Sequence, residues 1–265
     1  MHLPRFFLLV PLCACLLPAM AQEQAAAPGD AANQEIQQIV DVQGTRDPDL
    51  RPYRTMLKGL DAYADYQRLA PGAPLRFMLI PATPKARLEG VTLHLSADNL
   101  SIPVPLAADG GFTLTRDKTA YDANADLVSN KKRDTVRWRA DIHTPGLPQN
   151  VRRLGDLRLE CEIRWAVEQD DLPFVRRNLF RLAGGPCHSS LIHVPFPVFR
   201  KLLAVQARSG ERTLDIRITE DRQRYVPPLH DVSWDDNTLL TLTYADDGNM
   251  TEAAPAPPKK AALRQ

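Results

Sequence analysis

The sequence predicts a mainly β protein: one or two β-sandwich-like domains with an N-terminal amphipathic helix and one further short helix. Three observations predict it. Apolar and polar residues alternate at period two in several separate segments, which places their side chains on opposite faces of strands. Those segments are bounded by Pro, Gly and Asp-Gly punctuation, the mark of turns between short strands. Helical spacing of apolar residues is confined to two stretches.

The clearest alternation runs from Leu157 to Trp165. Leu157, Leu159, Cys161, Ile163 and Trp165 are apolar, and Arg158, Glu160, Glu162 and Arg164 between them are charged. A central strand is expected here, with Cys161 on its buried face.

Taken in order, the chain opens with a secretory leader over residues 1–21. Arg5 precedes an apolar run from Phe6 to Leu17, and Ala19-Met20-Ala21 forms a small-x-small cleavage site before Gln22. Pro11 and Pro18 interrupt the run, and it is shorter than the roughly 20 residues of a membrane span. Leu12-Cys13-Ala14-Cys15 resembles a bacterial lipobox and offers the alternative of a lipid anchor at Cys15. A periplasmic or secreted protein with no transmembrane segment is expected. Residues 22–48, rich in Ala and Gln, read as a disordered linker.

A helix plus a β-sandwich-like region is expected over 49–148. Tyr53, Met56, Leu57, Leu60 and Tyr63 share one face of a helix from Pro52 to Leu69, with Asp49 as its cap and Pro71-Gly72 as its stop. That stripe should dock on a sheet; Tyr53, Tyr63 and Tyr66 alternatively present a ligand face. Strands follow at Leu75–Ile80, around Val91-Leu93-Leu95, around Ile102-Val104-Leu106 and at Val136–Ile142. Pro103 and Pro105 mark the third of these as an edge. Asp109-Gly110 signals a hairpin turn into Phe112-Thr113-Leu114, and residues 115–135 read as a long loop or short helix. Thr144-Pro145-Gly146-Leu147-Pro148 marks a boundary or a crossing between sheets.

A disulfide-linked β region is expected over 149–246. A short helix capped by Asp170 or Asp171 carries Phe174, Val175, Leu179 and Leu182 and closes at Gly184-Gly185. Leu191–Phe199 reads as an edge strand, Leu203–Ala207 and Leu214–Ile218 as a hairpin about Ser209-Gly210, and Leu240-Leu242-Tyr244 as a last strand. Residues 247–265 read as a disordered Ala, Pro and Lys tail.

Two resemblances attach to these segments. Asp109-Gly110-Gly111-Phe112-Thr113-Leu114 is similar to the strand entry of transthyretin-like and carboxypeptidase-regulatory-type β-sandwiches, which implies a sandwich. The segments 152–161 and Gly184-Gly185-Pro186-Cys187-His188 look similar to an uncharacterised family of exported proteobacterial proteins. That resemblance implies a cell-envelope setting and no activity.

Charge and cysteine content narrow the function. The chain carries 33 basic and 32 acidic residues, and loss of the leader with Arg5 makes them equal. A neutral chain is not built for wholesale binding to nucleic acid or anionic lipid. Of four cysteines, Cys161 and Cys187 survive cleavage, and an oxidising compartment makes their disulfide the expectation.

Candidate chemistry is sparse. Cys187 beside His188 has the residue types of a nucleophile and base, but neighbours in extended chain point opposite ways. Ser189 lacks a nucleophile elbow. Asp122-Ala123-Asn124-Ala125-Asp126 opens like a calcium loop, yet Leu127 stands where Gly belongs and Arg133 where Glu belongs. His94, His143, His188, His193 and His230 show no ligand spacing; a composite zinc site with Asp231, Asp235 or Asp236 needs folding to form it. The rigid stretch Tyr225 to Trp234, with His230 and Asp231, is the candidate binding loop. No cofactor fingerprint, catalytic residue or metal ligand set is expected. The resulting reading is an exported, non-catalytic binding or envelope-accessory protein whose partner is an envelope protein or glycan. The alternatives are a hydrolase or metal-dependent enzyme with a composite site, or a carbohydrate-binding module.

Overall fold

Alternation produces most of the strands, and the described residues are mostly β, with several antiparallel sheets and four α-helices among them. The computed structural model describes residues 47–83 and 85–245, all within one compact unit, Val42–Gln265. The expected leader, Cys15, the linker up to residue 46 and the C-terminal tail lie outside the described residues.

Strand β1 (Pro48–Pro52) leads directly into helix α1 (Tyr53–Tyr66). The N-cap of α1 is Pro52, and Asp49 sits in β1 and caps nothing. Burial pushes the Asp49 carboxyl up. Strands β2 (Leu75–Pro81), β3 (Leu93–Ala97), β4 (Leu100–Val104) and β5 (Gly111–Phe112) follow. Helix α2 (Lys118–Asp122) and strand β6 (Asp126–Lys132) occupy the stretch read as a loop or short helix, and β7 (Val136–Ile142) comes next. One sheet runs β1-β6-β3-β4, with the Pro103-bearing β4 at its edge as proline requires. Another runs β5-β2-β7. The Asp109-Gly110 turn therefore does not close a hairpin between β4 and β5; it carries the chain from one sheet to the other.

Strand β8 (Val151–Arg153) runs straight into helix α3 (Leu154–Glu168), and α4 (Phe174–Leu182) follows. The remaining strands are β9 (Phe196–Pro197), β10 (Leu202–Ser209), β11 (Arg212–Asp215), β12 (Arg224–Tyr225) and β13 (Leu239–Tyr244). They form the sheet β11-β10-β13-β8 and the two-stranded pair β12-β9. The β10–β11 hairpin forms about Ser209-Gly210, whereas only two residues of the expected Leu191–Phe199 strand pair with a neighbour.

The expected central strand Leu157–Trp165 is the middle of helix α3. Period two is also two interleaved rows of period four. Leu157, Cys161 and Trp165 lie at i, i+4, i+8 on one helical face; Leu159, Ile163 and Val167 form the same row on the opposite face. The first row packs into the core of β10, β13 and Trp234. The second packs into the core shared by α1, β2, β3, β6 and β7. A helix buried on two opposite sides loses the one-sided stripe that announces a helix, and Leu, Arg and Glu are helix formers.

Close approaches hold α3 in place. A Cβ on Gly59 of α1 would meet Val167 and Ile163 at 3.0 and 3.2 Å, so α1 docks on α3 as well as on the sheets. A Cβ on Gly155 would stand 2.1 Å from the Leu69 carbonyl oxygen. On the other face, Cys161 is disulfide-bonded to Cys187, just past the left-handed Gly184-Gly185 that end α4. Gly155→Ala should cost about 3 kcal/mol or more of unfolding free energy, because the clash is with backbone; a denaturant melt checks it. Replacing both cysteines with Ser should lower stability by roughly 3 kcal/mol through loop entropy, read as the same loss in a denaturant melt.

Candidate functional site

The site begins at a sheet edge. Strand β7 is the last strand of its sheet, so its outward amides have no strand to pair with. Helix α3 supplies carboxylates instead. Glu160 Oε1 accepts from the Ile142 amide at 2.8 Å, and Asp156 Oδ2 accepts from the Thr144 amide at 2.9 Å. Four helical residues rise about 6 Å and two strand residues about 6.8 Å, so carboxylates at i, i+4 match amides at j, j+2. Asp156 Oδ1 also accepts from the Thr144 hydroxyl at 2.7 Å.

Arg152 of β8 completes this corner. Its Nη2 donates to Glu160 Oε1 at 2.7 Å and to the Ile142 carbonyl at 3.0 Å. Burial pushes the Glu160 carboxyl up, and the Arg152 and Arg139 guanidiniums pull against it. Burial works against the Arg152 cation most, but Glu160, Tyr225 and Asp141 together outweigh it and leave its pKa raised.

On the outer face of β2 and β7, Arg76 lies opposite Asp141 and Met78 opposite Arg139, between residues that turn inward to the core. Those four side chains and Arg152 form one wall of a cleft of about 410 Å³. Pro197, Val198, Phe199, Tyr225, Leu242 and Tyr244 contribute the other. Arg76 donates to Asp109 at 2.6 Å and lies 3.5 Å from Asp141. Arg139 donates to the Pro197 carbonyl at 3.0 Å and to Met78 Sδ at 3.6 Å, with its guanidinium carbon 5.4 Å from the Phe199 ring centre. The Tyr225 phenol is 1 % exposed, and burial pushes its pKa up to about 12.

Arg139 Nε, Arg152 Nε and Tyr225 Oη are buried without a hydrogen-bond partner, while Arg76 Nε has the Asp141 carboxylate 3.5 Å away. These atoms are shielded from the cleft, so what the cleft offers a ligand is the remaining face of the arginines beside the apolar residues of the opposite wall.

The residues singled out in the sequence lie in several places. Tyr225 lines the cleft, but Trp234 is only 2 % exposed and belongs to the core, with the Arg212 guanidinium 3.8 Å over its ring. His230 is exposed, and Asp231, half-exposed, accepts from the Ser233 amide and hydroxyl, which hold its carboxyl below the usual range. This loop is locked from α3. Arg158 donates to the carbonyls of Leu229, Asp231 and Trp234 at 2.9 Å each, and to Asp236 at 2.5 Å. Cys187 is spent in the disulfide, and His188 pairs with Glu162 at 2.7 Å. Ser189 is buried and accepts from the Leu191 amide. Asp122, Asn124 and Asp126 are divided among the end of α2, a turn and β6. Tyr53 and Tyr63 donate to the carbonyls of Thr115 and Ala73, so their phenols tie α1 to neighbouring chain. Among the described residues no group of three or more His, Cys, Asp or Glu is placed to hold a metal ion.

Sequence reading missed Arg76, Arg139 and Arg152. The only signal was a charged residue at alternate strand positions, identical to that of a solvated strand face. No protein-family model, curated protein or solved structure matches the chain.

One titration isolates a member of the cleft. Burial, then the Arg152 charge, holds His143 below its ordinary value of 6.5. The unfolded chain therefore takes up a proton at higher pH than the native one. His143 contributes stability that is present above about pH 6.5 and lost as pH falls through its folded pKa. Glu160 and Glu162, with raised values, act in the opposite sense. Subtracting the stability–pH profile of His143→Gln from that of the wild type should leave a component that falls below pH 6.5.

Proposed function

We propose that this chain is an exported, non-catalytic binding protein of the cell envelope, with the cleft between β2–β7 and β9–β13 as its ligand site. The observation that carries the reading is one cleft of about 410 Å³ in which Arg76, Arg139 and Arg152 face the apolar residues Pro197, Val198, Phe199 and Leu242. Ligand sites pair apolar walls with a few fixed polar groups, and this cleft has both. Its acids are engaged with Arg76, which supports binding over acid–base work.

Export is supported by the leader pattern over 1–21 and by the Cys161–Cys187 disulfide, a bond that persists in oxidising compartments. No helix among the described residues is long and apolar enough to cross a membrane. The resemblance of residues 152–161 and 184–188 to exported proteobacterial proteins runs the same way. We read β1-β6-β3-β4 and β5-β2-β7, which share one core, as a sandwich-like frame holding one wall of the site.

The test is a thermal-shift screen of the mature protein against amino acids, organic acids, nucleotides and oligosaccharides, repeated with Phe199→Ala at the exposed rim of the cleft. A ligand at a hundred times its Kd stabilises by about 2.7 kcal/mol. At least one compound should raise the Tm of the wild type and raise it less in the variant. Turnover of a member of that panel, abolished by His143→Gln, would overturn the non-catalytic reading. A chain isolated from cells with an uncleaved N-terminus and two free thiols would overturn export.

A further inference from the structure

Away from the cleft and independent of it, we propose that helix α4 is a membrane-surface contact. It lies flat on an anionic lipid bilayer with Val175, Leu179 and Leu182 among the acyl chains. These three residues fall at i, i+4, i+7, the spacing of one helical face. In an ordinary surface helix that face is the buried one. Here the three are 77, 61 and 87 % exposed, and α4 has no buried residue. Phe174, in the first turn, is 69 % exposed as well.

The way α4 is held imposes this orientation. Its other side packs through Phe180, whose ring centre lies 6.0 Å from that of Trp165 on α3. Arg177 donates to Asp170 at 3.0 Å, and Arg181 donates to the Gln169 side-chain oxygen at 2.7 Å. Past the helix, Gly184-Gly185 lead to Cys187 and its disulfide with Cys161. The helix is thus fixed by its inner side and its exit, and the apolar stripe faces outward.

Charge identifies what covers the stripe. The whole chain is balanced, but residues 172–191 contain three arginines and no acid. The acids of the adjoining segments are already matched. Asp170 serves both Arg177 and Lys58, Asp171 pairs with Arg51, Glu168 with Arg164, and Glu162 with His188. Arg181 is left with a neutral amide, and among the described residues no acid pairs with the exposed Arg176. Apolar side chains flanked by arginines match the boundary of a bilayer, with acyl chains below and anionic headgroups beside them. A protein partner is the poorer match, because a stable interface takes about 20–30 residues a side. A second copy would also bring like-charged arginines together.

The experiment is co-sedimentation of the disulfide-bonded chain from Gln22 onward with two kinds of vesicle. One is phosphatidylcholine alone; the other is phosphatidylcholine with an equal part of phosphatidylglycerol. Partitioning should be about tenfold or more stronger on the anionic vesicles, and should weaken in high salt as headgroup attraction is screened. The double variant Leu179→Ser/Leu182→Ser, at exposed positions that leave the fold intact, should weaken binding about tenfold or more. Arg176→Gln with Arg181→Gln should bring the two vesicle types within about threefold of each other. Equal binding of the wild type to both vesicle types would overturn the proposal, as would no binding at millimolar lipid. Anionic-vesicle binding that Leu179→Ser/Leu182→Ser retains in full would also overturn it. So would a dimer in sedimentation equilibrium that the same variant dissolves, because the stripe would then belong to a second copy.

Discussion

The fold depends on a helix that has no solvent-facing side along most of its length. Helix α3 feeds Leu159, Ile163 and Val167 into one core and Leu154, Leu157 and Cys161 into the other, so each core is closed by the same 15 residues. Its charged side chains lie between the two apolar faces, and all but Arg164 and Glu168 near its end are largely shut off from bulk water. Each has a protein partner instead: Asp156 with Thr144, Arg158 with the 229–236 loop, Glu160 with Arg152, Glu162 with His188 and Arg164 with Glu168. A buried charge without such a partner would cost several kcal/mol, so these pairings decide which strands and loops can lie beside α3.

Those pairings also generate the cleft. Asp156 and Glu160 take the place of a further strand along β7, which ends the sheet at that edge. Because Arg152 must serve Glu160 and the Ile142 carbonyl together, β8 and its sheet partner β13 are brought beside the outer face of β7. The two sheets meet there without merging, and the arginines on that outer face line the gap. Structural economy and the candidate site thus share one cause.

Much of the frame was legible from local pattern. Helix α1 followed from the spacing of Tyr53, Met56 and Leu57, and β2, β7 and β13 from their alternation. Pro103 marked an edge because a residue with no amide hydrogen cannot serve a two-sided strand. Leu157–Trp165 was misread because alternation specifies two opposite buried faces equally well for a strand and for a helix held between two cores. Which solution forms depends on whether a second core exists, and a nine-residue window does not contain that information.

By itself the sequence determined the mostly antiparallel β composition, the helix ahead of β2, the proline-marked edge and the cysteines available for a cross-link. Each rests on forces between residues close in the chain, on backbone geometry or on a count. Tertiary structure decided that α3 is a helix, that Trp234 is core and Tyr225 is cleft lining, and that Glu160 bonds Arg152. These are outcomes of long-range packing. Arg139 and Glu160 are separated by 21 positions, yet it is the position of α3 against β7 that brings Glu160 under the pull of both Arg139 and Arg152.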